Sequence, residues 1–179
     1  MSRVLIALGG NLGDVRTAFA RSCDMLRRDL TAIERSPIYV SSAVYDKPGA
    51  ILPETPAPDY LDAVLVAQTS LEPHALLARL LEVEKALGRI RPAPLCAPRP
   101  IDLDLLLYDH RILSPAFDGD LEVPHPRMHF REFVLAPACD IAADWVHPVL
   151  QKTLCEVYHD LKMRDAASPK TPKASLRIV

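Results

Sequence analysis

The 179-residue chain has little of what marks several classes of protein. Its four cysteines are scattered, with no C-x-x-C pair, so zinc binding and a disulfide framework are poorly supported and a reducing compartment is expected. Aromatic residues make up 6% and the formal net charge is −2, whereas a nucleic-acid-binding domain usually presents a basic face. The apolar run from Val4 to Leu8 is too short for the core of a signal peptide, and no stretch approaches the length of a membrane span. These absences predict a cytoplasmic protein that binds neither nucleic acid nor membranes.

What the chain does have is apolar residues in regular patterns. They make up 49% of the sequence, which is enough for one domain with a substantial core. We place this domain at residues 1–163, followed by a polar tail, residues 164–179, that is expected to pack little. Periodicity predicts alternating strands and helices. The predicted strands are Val4–Leu8, Ile33–Tyr45, Tyr60–Thr69, the run that begins at Ile101, and a short strand at Arg111–Leu113; the predicted helices are Val15–Leu30, Ser70–Gly88 and Val149–Met163.

Two aspartates interrupt the run that begins at Ile101. In a strand, Asp102 and Asp104 emerge on one face, because successive side chains point to opposite faces. Two like charges held this close must be paired, bind a metal or take up a proton, and Mg²⁺ prefers such oxygen ligands. Ion pairs with Arg89, Arg91 and Arg99 are the alternative, since all three arginines lie just upstream. Either way, acids for Mg²⁺ beside guanidinium groups for phosphate are typical of a phosphoryl-transfer site.

Other polar residues add to this hypothesis. Asp62 is a lone acid on the face of its predicted strand, where it either serves a site or simply faces water. His125 and His129 have a spacing that can bind zinc, but no third ligand is evident, and a phosphate contact by His125 and Arg131 is the more economical interpretation. Residues 46–59 contain four prolines and a glycine, which predicts a long loop that could close over a ligand.

Five short segments follow one another in a recognisable order. They are Gly9-Gly10-Asn11-Leu12; Pro58-Asp59-Tyr60-Leu61-Asp62-Ala63; Glu84 with Gly88-Arg89-Ile90-Arg91; Pro98-Arg99-Pro100-Ile101-Asp102-Leu103-Asp104; and Val123-Pro124-His125 with Arg131 and Phe133. Together they resemble the motifs of the 6-hydroxymethyl-7,8-dihydropterin pyrophosphokinases of folate biosynthesis, over roughly residues 3–150.

The resemblance implies a fold, a reaction and ligands. The fold is α/β (α+β), with a ferredoxin-like βαββαβ sheet and helices packed on both of its faces. The reaction transfers the β,γ-diphosphate of ATP to the pterin hydroxymethyl group and releases AMP, with two Mg²⁺ ions. The expected partners are these small molecules alone, and the chain is expected to be a monomer.

The resemblance also implies roles for individual residues. Asp102 and Asp104 hold both metals, and Arg89 and Arg99 stabilise charge on the transferring group. The residues that seat ATP are Glu84, Arg91, Leu105, His125 and Arg131, and those that bind the pterin are Lys47, Pro48, Gly49, Tyr60, Asp62 and Phe133. No residue stands out as a strong general base, so catalysis depends on positioning and electrostatics.

The chain departs from the family pattern at four places. Asp62 replaces an Asn that offers both a donor and an acceptor to the pterin. Cys96-Ala97 replaces Trp-Gly, Leu81 replaces a Gln, and Glu122 replaces a small polar residue. These departures motivate an alternative: a paralogue that binds pterin and nucleotide, or a different pterin, with little turnover. A ferredoxin-like nucleic-acid-binding or nucleotidyl-transfer domain is a further alternative, against which the acidic balance argues.

Overall fold

The computed structural model describes residues 1–42, 58–92, 97–119, 121–167 and 176–179. The strands are β1 (Ser2–Gly10), β2 (Leu30–Arg35), β3 (Tyr39–Ser41), β4 (Tyr60–Thr69), β5 (Asp102–Tyr108), β6 (Val146–His147), β7 (Lys152–Thr153) and β8 (Arg177–Ile178). The helices are α1 (Val15–Leu26), α2 (Pro73–Ala86), the short α3 (Pro115–Asp118), α4 (Glu132–Ala142) and α5 (Leu154–Ala167), with a 3₁₀ turn at Met128–Phe130. Within these described ranges, no helix is both long and apolar enough to cross a membrane.

The main sheet has β1 at its centre. Its strand order is β5-β1-β4-β3-β8, with β2 also paired to β4, and the pairings are antiparallel. From β1 to β5 the chain follows a βαββαβ path in which β2 and β3 together form one strand position. This arrangement confirms the predicted ferredoxin-like α+β fold.

Helices cover both faces of the sheet, as predicted. On one face, α1 and α2 bury Phe19 and Leu80 against Ile6 and Leu65. On the opposite face, α4 packs its apolar side against the sheet, and α5 packs on α4. The alternation of side chains along β4 is the reason for this division: Leu61, Ala63, Leu65 and Ala67 belong to the first core, and Val64 and Val66 to the second. Asp62 therefore shares a face with α4.

The described part of the predicted strand 33–45, residues 33–42, contains two strands, β2 and β3. The break falls at Ser36-Pro37, where proline has no N–H to donate to a ladder. The Ser36 hydroxyl instead accepts a hydrogen bond from the Val64 N–H, at 3.0 Å. At Arg111–Leu113 the structure has only an isolated bridge, between Leu113 and Val123.

The last helix begins five residues later than the predicted Val149. Thr153 and Glu156 form a reciprocal cap: the Thr153 N–H donates to Glu156 Oε2 at 2.8 Å, and the Glu156 N–H donates to Thr153 Oγ1 at 3.2 Å. Thr-x-x-Glu is a helix-start signal, and it places the start at Leu154. Helix α5 then continues to Ala167, and β8 pairs with β3, so part of the segment from 164 onward packs on the domain.

Candidate active site

The candidate site lies where three neighbouring strands meet. Gly9 on β1 is the register partner of both Asp62 on β4 and Asp102 on β5. A Cβ atom built on Gly9 would lie 3.5 Å from Asp62 Oδ1 and 3.9 Å from Asp102 Cβ. Asp104, two residues further along β5, points to the same face. Glycine at this position therefore leaves an open space between carboxylates from two strands.

Asp102 is held by arginines from two segments. Arg89 Nη1 lies 2.9 Å from Asp102 Oδ1, and Arg99 Nη1 lies 2.7 Å from Oδ2. Arg91 Nη2 is more distant, at 3.8 Å from Oδ1. The ion pairs that were an alternative to a metal are thus present in the structure.

Asp104 has basic neighbours that lie further away than those of Asp102. The His125 Nε2 and Arg131 Nη1 atoms each lie 3.8 Å from its Oδ2, and 38% of the Asp104 side chain is exposed. The His125 N–H donates to the Leu106 carbonyl at 2.9 Å, which fixes this segment along the outer edge of β5. Burial lowers the pKa of His125, and the nearby Asp104 carboxylate opposes this shift. Because Nδ1 accepts from the Arg127 N–H at 3.2 Å, the neutral ring carries its hydrogen on Nε2, toward Asp104.

Glu84 connects the end of α2 to the outer edge of β5. Its side chain is 1% exposed. Oε1 accepts the Leu103 N–H at 2.7 Å, and Oε2 accepts from Arg91 Nη2 at 2.6 Å and Nε at 3.2 Å. Burial raises the pKa of Glu84, and the hydrogen bonds from Leu103 and Arg91 counteract that rise. The carboxylate therefore accepts a hydrogen bond from a backbone N–H at the edge of the sheet and also orients Arg91.

The turn after α2 places Arg89. Gly88 has a φ of +92°, a left-handed conformation that glycine adopts without a steric penalty. The Gly88 N–H donates to the Lys85 carbonyl and the Arg89 N–H to the Glu84 carbonyl, at 3.1 and 2.9 Å, which is the Schellman pattern of a helix end. Arg89 Nη1 also donates to the Ile101 carbonyl at 3.0 Å. The helix cap thus directs Arg89 to the start of β5.

Asn11 orients Arg99, a role that the sequence did not indicate. The Arg99 N–H donates to Asn11 Oδ1 at 2.9 Å, and the Asn11 N–H donates to the Arg99 carbonyl at 2.9 Å. Asn11 Nδ2 also donates to the Pro58 carbonyl at 3.2 Å, next to β4. At Gly10 an added Cβ would lie only 2.7 Å from the Pro100 carbonyl oxygen. The Gly-Gly-Asn segment therefore packs directly against the segment that carries Arg99.

Asp62 is buried, so the interpretation of a strand-end acid that faces water is wrong. It is 5% exposed, and its Oδ2 accepts a hydrogen bond from Ser41 Oγ on β3 at 2.6 Å. Burial raises the pKa of Asp62 to about 7, with the Ser41 hydrogen bond and Arg131 acting in the opposite direction. Ser41 is a second residue that sequence reasoning missed, because only the pairing of β3 with β4 brings it to Asp62.

Two aromatic rings lie beside the arginines of the site. The guanidinium carbon of Arg99 is 5.7 Å from the centre of the Tyr60 ring, and that of Arg131 is 5.6 Å from the centre of the Phe133 ring. Arg99 Nη2 also approaches the Tyr60 hydroxyl at 3.5 Å. Both predicted aromatic residues thus lie close to the predicted phosphate-binding arginines.

Comparison with known proteins identifies the family. The model of the family 7,8-dihydro-6-hydroxymethylpterin-pyrophosphokinase (HPPK) matches residues 5–143. The chain belongs to this family. It is 36% identical over 156 residues to a 2-amino-4-hydroxy-6-hydroxymethyldihydropteridine pyrophosphokinase of Synechocystis, a match that covers 86% of this chain and 73% of the relative. The corresponding protein of Aquifex aeolicus is 32% identical over 157 residues, 87% of this chain and 90% of the relative. The family predicted from the motifs is confirmed.

Solved HPPK structures share the fold at low identity. The HPPK-DHPS protein of Plasmodium falciparum matches with a TM-score of 0.67 at 15% identity, over 94% of this chain and 45% of that one. This chain thus spans less than half of the HPPK-DHPS chain. At this identity the likeness concerns the fold alone.

Not every predicted residue of the HPPK site lies in the cluster. Leu105 is 3% exposed, and its side chain belongs to the core under α1 and α2, on the face opposite Asp104. Lys47, Pro48 and Gly49 lie outside the described residues, as does Cys96. The His129 and His147 rings meet edge to face with centres 5.8 Å apart, and in the described part of the chain no group of three or more His, Cys, Asp and Glu side chains could hold a metal ion.

Proposed function

We propose that the chain transfers the β,γ-diphosphate of ATP to the hydroxymethyl group of 6-hydroxymethyl-7,8-dihydropterin and releases AMP, as a step of folate biosynthesis. As a member of the HPPK family it is a pyrophosphokinase. The observation that carries the proposal is the arrangement at the end of β5, where Asp102 and Asp104 share a face and Arg89, Arg99 and Arg131 approach them to between 2.7 and 3.8 Å. Carboxylates for a hard cation and guanidinium groups for phosphate thus occur within one small region.

The acids fit Mg²⁺ by their chemistry. Asp102 and Asp104 supply carboxylate oxygens on one face, and Mg²⁺ is bound by one or two carboxylates together with substrate phosphates. Asp104 is partly exposed, and His125 and Arg131 lie beyond hydrogen-bond distance of it, which leaves its oxygens accessible. We assign both aspartates as the Mg²⁺ ligands. When bound, Mg²⁺ would neutralise charge on the phosphate oxygens and orient them.

The arginines would stabilise the transferring group. Arg89 and Arg99 already lie at one carboxylate, and guanidinium groups bind phosphate oxygens with the same paired geometry. Charge develops on those oxygens as the bond to the α-phosphate breaks, and fixed cations lower the energy of that state. The Arg89 guanidinium donates to the Ile101 carbonyl, and Asn11 fixes the backbone of Arg99, so both arginines are held near the start of β5.

The two substrates would meet at this centre. Arg91, oriented by Glu84, lies on the α2 side and would seat ATP, together with His125 and Arg131. Tyr60 and Phe133 would flank the pterin ring, and Asp62 would accept hydrogen bonds from the pterin N–H groups.

We propose that the protein acts as a monomer with one catalytic domain and binds only these small molecules. The βαββαβ sheet brings residues from β1, β4 and β5 of one chain to the site, which supports this view. Light scattering during size-exclusion chromatography, with and without ATP, tests it: a mass of twice the monomer's would contradict it.

The main experiment measures AMP release and nucleotide binding in the same preparations. Protein, ATP, Mg²⁺ and 6-hydroxymethyl-7,8-dihydropterin are combined, and each component is omitted in turn. AMP should form only in the complete mixture. Asp102→Asn and Asp104→Asn should each lower the rate by at least about 100-fold, because the lost interaction acts on the transition state.

Asp109→Asn is the matched control, since Asp109 follows β5 at its other end and accepts a hydrogen bond from the Arg3 N–H at 2.7 Å. Asn tolerates its positive φ of 46°. Calorimetric titration of each variant with ATP, with and without Mg²⁺, provides a readout other than turnover. Near-wild-type turnover in either site variant would refute the metal assignment. Absence of AMP from a wild type that still binds ATP would refute the proposed acceptor.

A further inference from the structure

Helices α4 and α5 pack side by side in opposite directions. Near the start of α4, Glu132 Oε1 accepts a hydrogen bond from Lys162 Nζ, which lies near the end of α5, at 2.7 Å. One turn further along α4, Leu135 forms a buried cluster with Val157 and Leu161. The start of α4 therefore lies beside the later part of α5, and the end of α4 beside the start of α5.

The next turn brings two cysteines together. Cys139 lies one turn after Leu135, and Cys155 lies in the first turn of α5. The register set by Glu132 with Lys162, and by Leu135 with Val157 and Leu161, places Cys139 opposite Cys155. The Cys155 N–H also donates to the Ala143 carbonyl at 3.2 Å, which anchors the start of α5 at the end of α4. The antiparallel packing and this anchor both place the two sulfur atoms on facing sides of one helix pair.

The two thiols differ in access. Cys155 is exposed, so a dissolved reagent can reach it, whereas Cys139 is only partly exposed. Burial, together with the neighbouring Cys155, raises the pKa of Cys139 to about 12. At neutral pH Cys139 is therefore protonated, and reaction with an external reagent begins at Cys155, since the thiolate is the nucleophile.

We propose that Cys139 and Cys155 form a reversible disulfide that links α4 to α5 when the protein meets a small-molecule disulfide such as oxidised glutathione. The Cys155 thiolate attacks one sulfur of the reagent, the reagent's S–S bond breaks, and one small thiolate leaves. Cys139 gives its proton to a thiolate or water and attacks the Cys155 sulfur, which forms the intramolecular bond and releases the second small thiol. Two protein thiols are oxidised, and one external disulfide is reduced to two thiols.

The bond would close a loop of about 15 residues, which is expected to stabilise the folded chain by restricting the unfolded one. Neither sulfur belongs to the candidate active site, so oxidation should leave AMP release within about twofold of the reduced protein. The effect of the link should instead be visible as a rise in the midpoint of thermal unfolding.

Peptide mapping tests the proposal on the full chain. Reduced protein is incubated with oxidised glutathione, remaining thiols are blocked with N-ethylmaleimide, and peptides are analysed without reductant. The wild type should give a Cys139–Cys155 linked peptide, and its thermal midpoint should rise and then return after dithiothreitol. Cys139→Ser should instead accumulate glutathione on Cys155, because the second step has no nucleophile. Cys155→Ser should form no link, and the control Cys23→Ser should behave as the wild type does.

Stable glutathione on Cys155 of the wild type, with Cys139 still free, would overturn the proposal. A link from Cys155 to another cysteine, or to a second copy of the chain, would overturn it as well. The wild-type map decides the question even if a variant fails to fold, and Cys139→Ala offers a second substitution of similar volume.

Discussion

Asp62 links the buried electrostatics of the site to a measurable pH dependence. Burial raises the pKa of its carboxyl from 3.8 to about 7 in the folded protein. Between these two pH values the folded state binds a proton that the unfolded state has released. The free energy of unfolding therefore falls as the pH rises from about 4 to about 7, and this contribution is constant above that window.

The size of the effect follows from the shift. About three pKa units, at about 1.4 kcal/mol each, correspond to a cost of about 4 kcal/mol for the ionised carboxylate above pH 7. Asp62→Asn removes this cost because asparagine has nearly the same shape and carries no charge. Its carbonyl oxygen can still accept the hydrogen bond that Ser41 Oγ now donates at 2.6 Å. We expect the variant to match the wild type near pH 4 and to be more stable by up to about 4 kcal/mol at pH 8.

Urea unfolding of both proteins at intervals from pH 4 to pH 8.5, without nucleotide or Mg²⁺, measures the difference directly. Other titrating groups cancel in that difference, since they are present in both proteins. Asp59→Asn is the control because Asp59 is an exposed carboxylate three residues earlier, and its removal should give a difference of less than about 0.5 kcal/mol. A difference between Asp62→Asn and wild type that does not grow with pH would refute the reasoning.

Two further predictions concern the framework of the site, and urea unfolding tests both. Glu84→Ala should lower the free energy of unfolding by about 3 kcal/mol, because the buried Leu103 N–H loses its acceptor. Glu84→Gln keeps an acceptor oxygen and should lose less than half as much. Equal losses in the two variants would contradict this account. Gly10→Ala should cost about 1–3 kcal/mol, because its methyl group would lie 2.7 Å from the Pro100 carbonyl oxygen. Gly9→Ala is the matched change: its added methyl group would have its nearest contact at 3.5 Å, so it should cost less than about 0.5 kcal/mol. Similar losses at both glycines would show that steric contact is not the cause.

Local patterns predicted the elements that carry most of the site. Strand Tyr60–Thr69 has the predicted bounds, and the helix predicted at Ser70–Gly88 runs from Pro73 to Ala86. Alternation along β5 correctly placed Asp102 and Asp104 on one face. These features depend on residues close in sequence, whose periodicity sets which side chains are buried together.

Contacts between distant segments were not predictable in the same way. Ser41 reaches Asp62, and Asn11 reaches Arg99, only through the order of the strands in the sheet. The burial of Asp62 was unpredictable for the same reason. A lone acid on an apolar strand has the same local sequence whether a distant hydroxyl group or open water faces it.

The two interpretations of the D-x-D pair are compatible. An ion pair and a metal site need the same composition of acids and arginines, so composition alone could not separate them. The arginines are unevenly distributed: two guanidinium groups contact Asp102 within 3 Å, while the neighbours of Asp104 lie at 3.8 Å. Without Arg89 and Arg99, the Asp102 carboxylate would lie beside Asp104 with only the more distant Arg91 and Arg131 to balance the two charges. Phosphate oxygens are alternative acceptors for the same guanidinium groups, so the ion pairs keep Arg89 and Arg99 at the place where the proposed reaction needs them. These ion pairs thus support the proposed phosphate site.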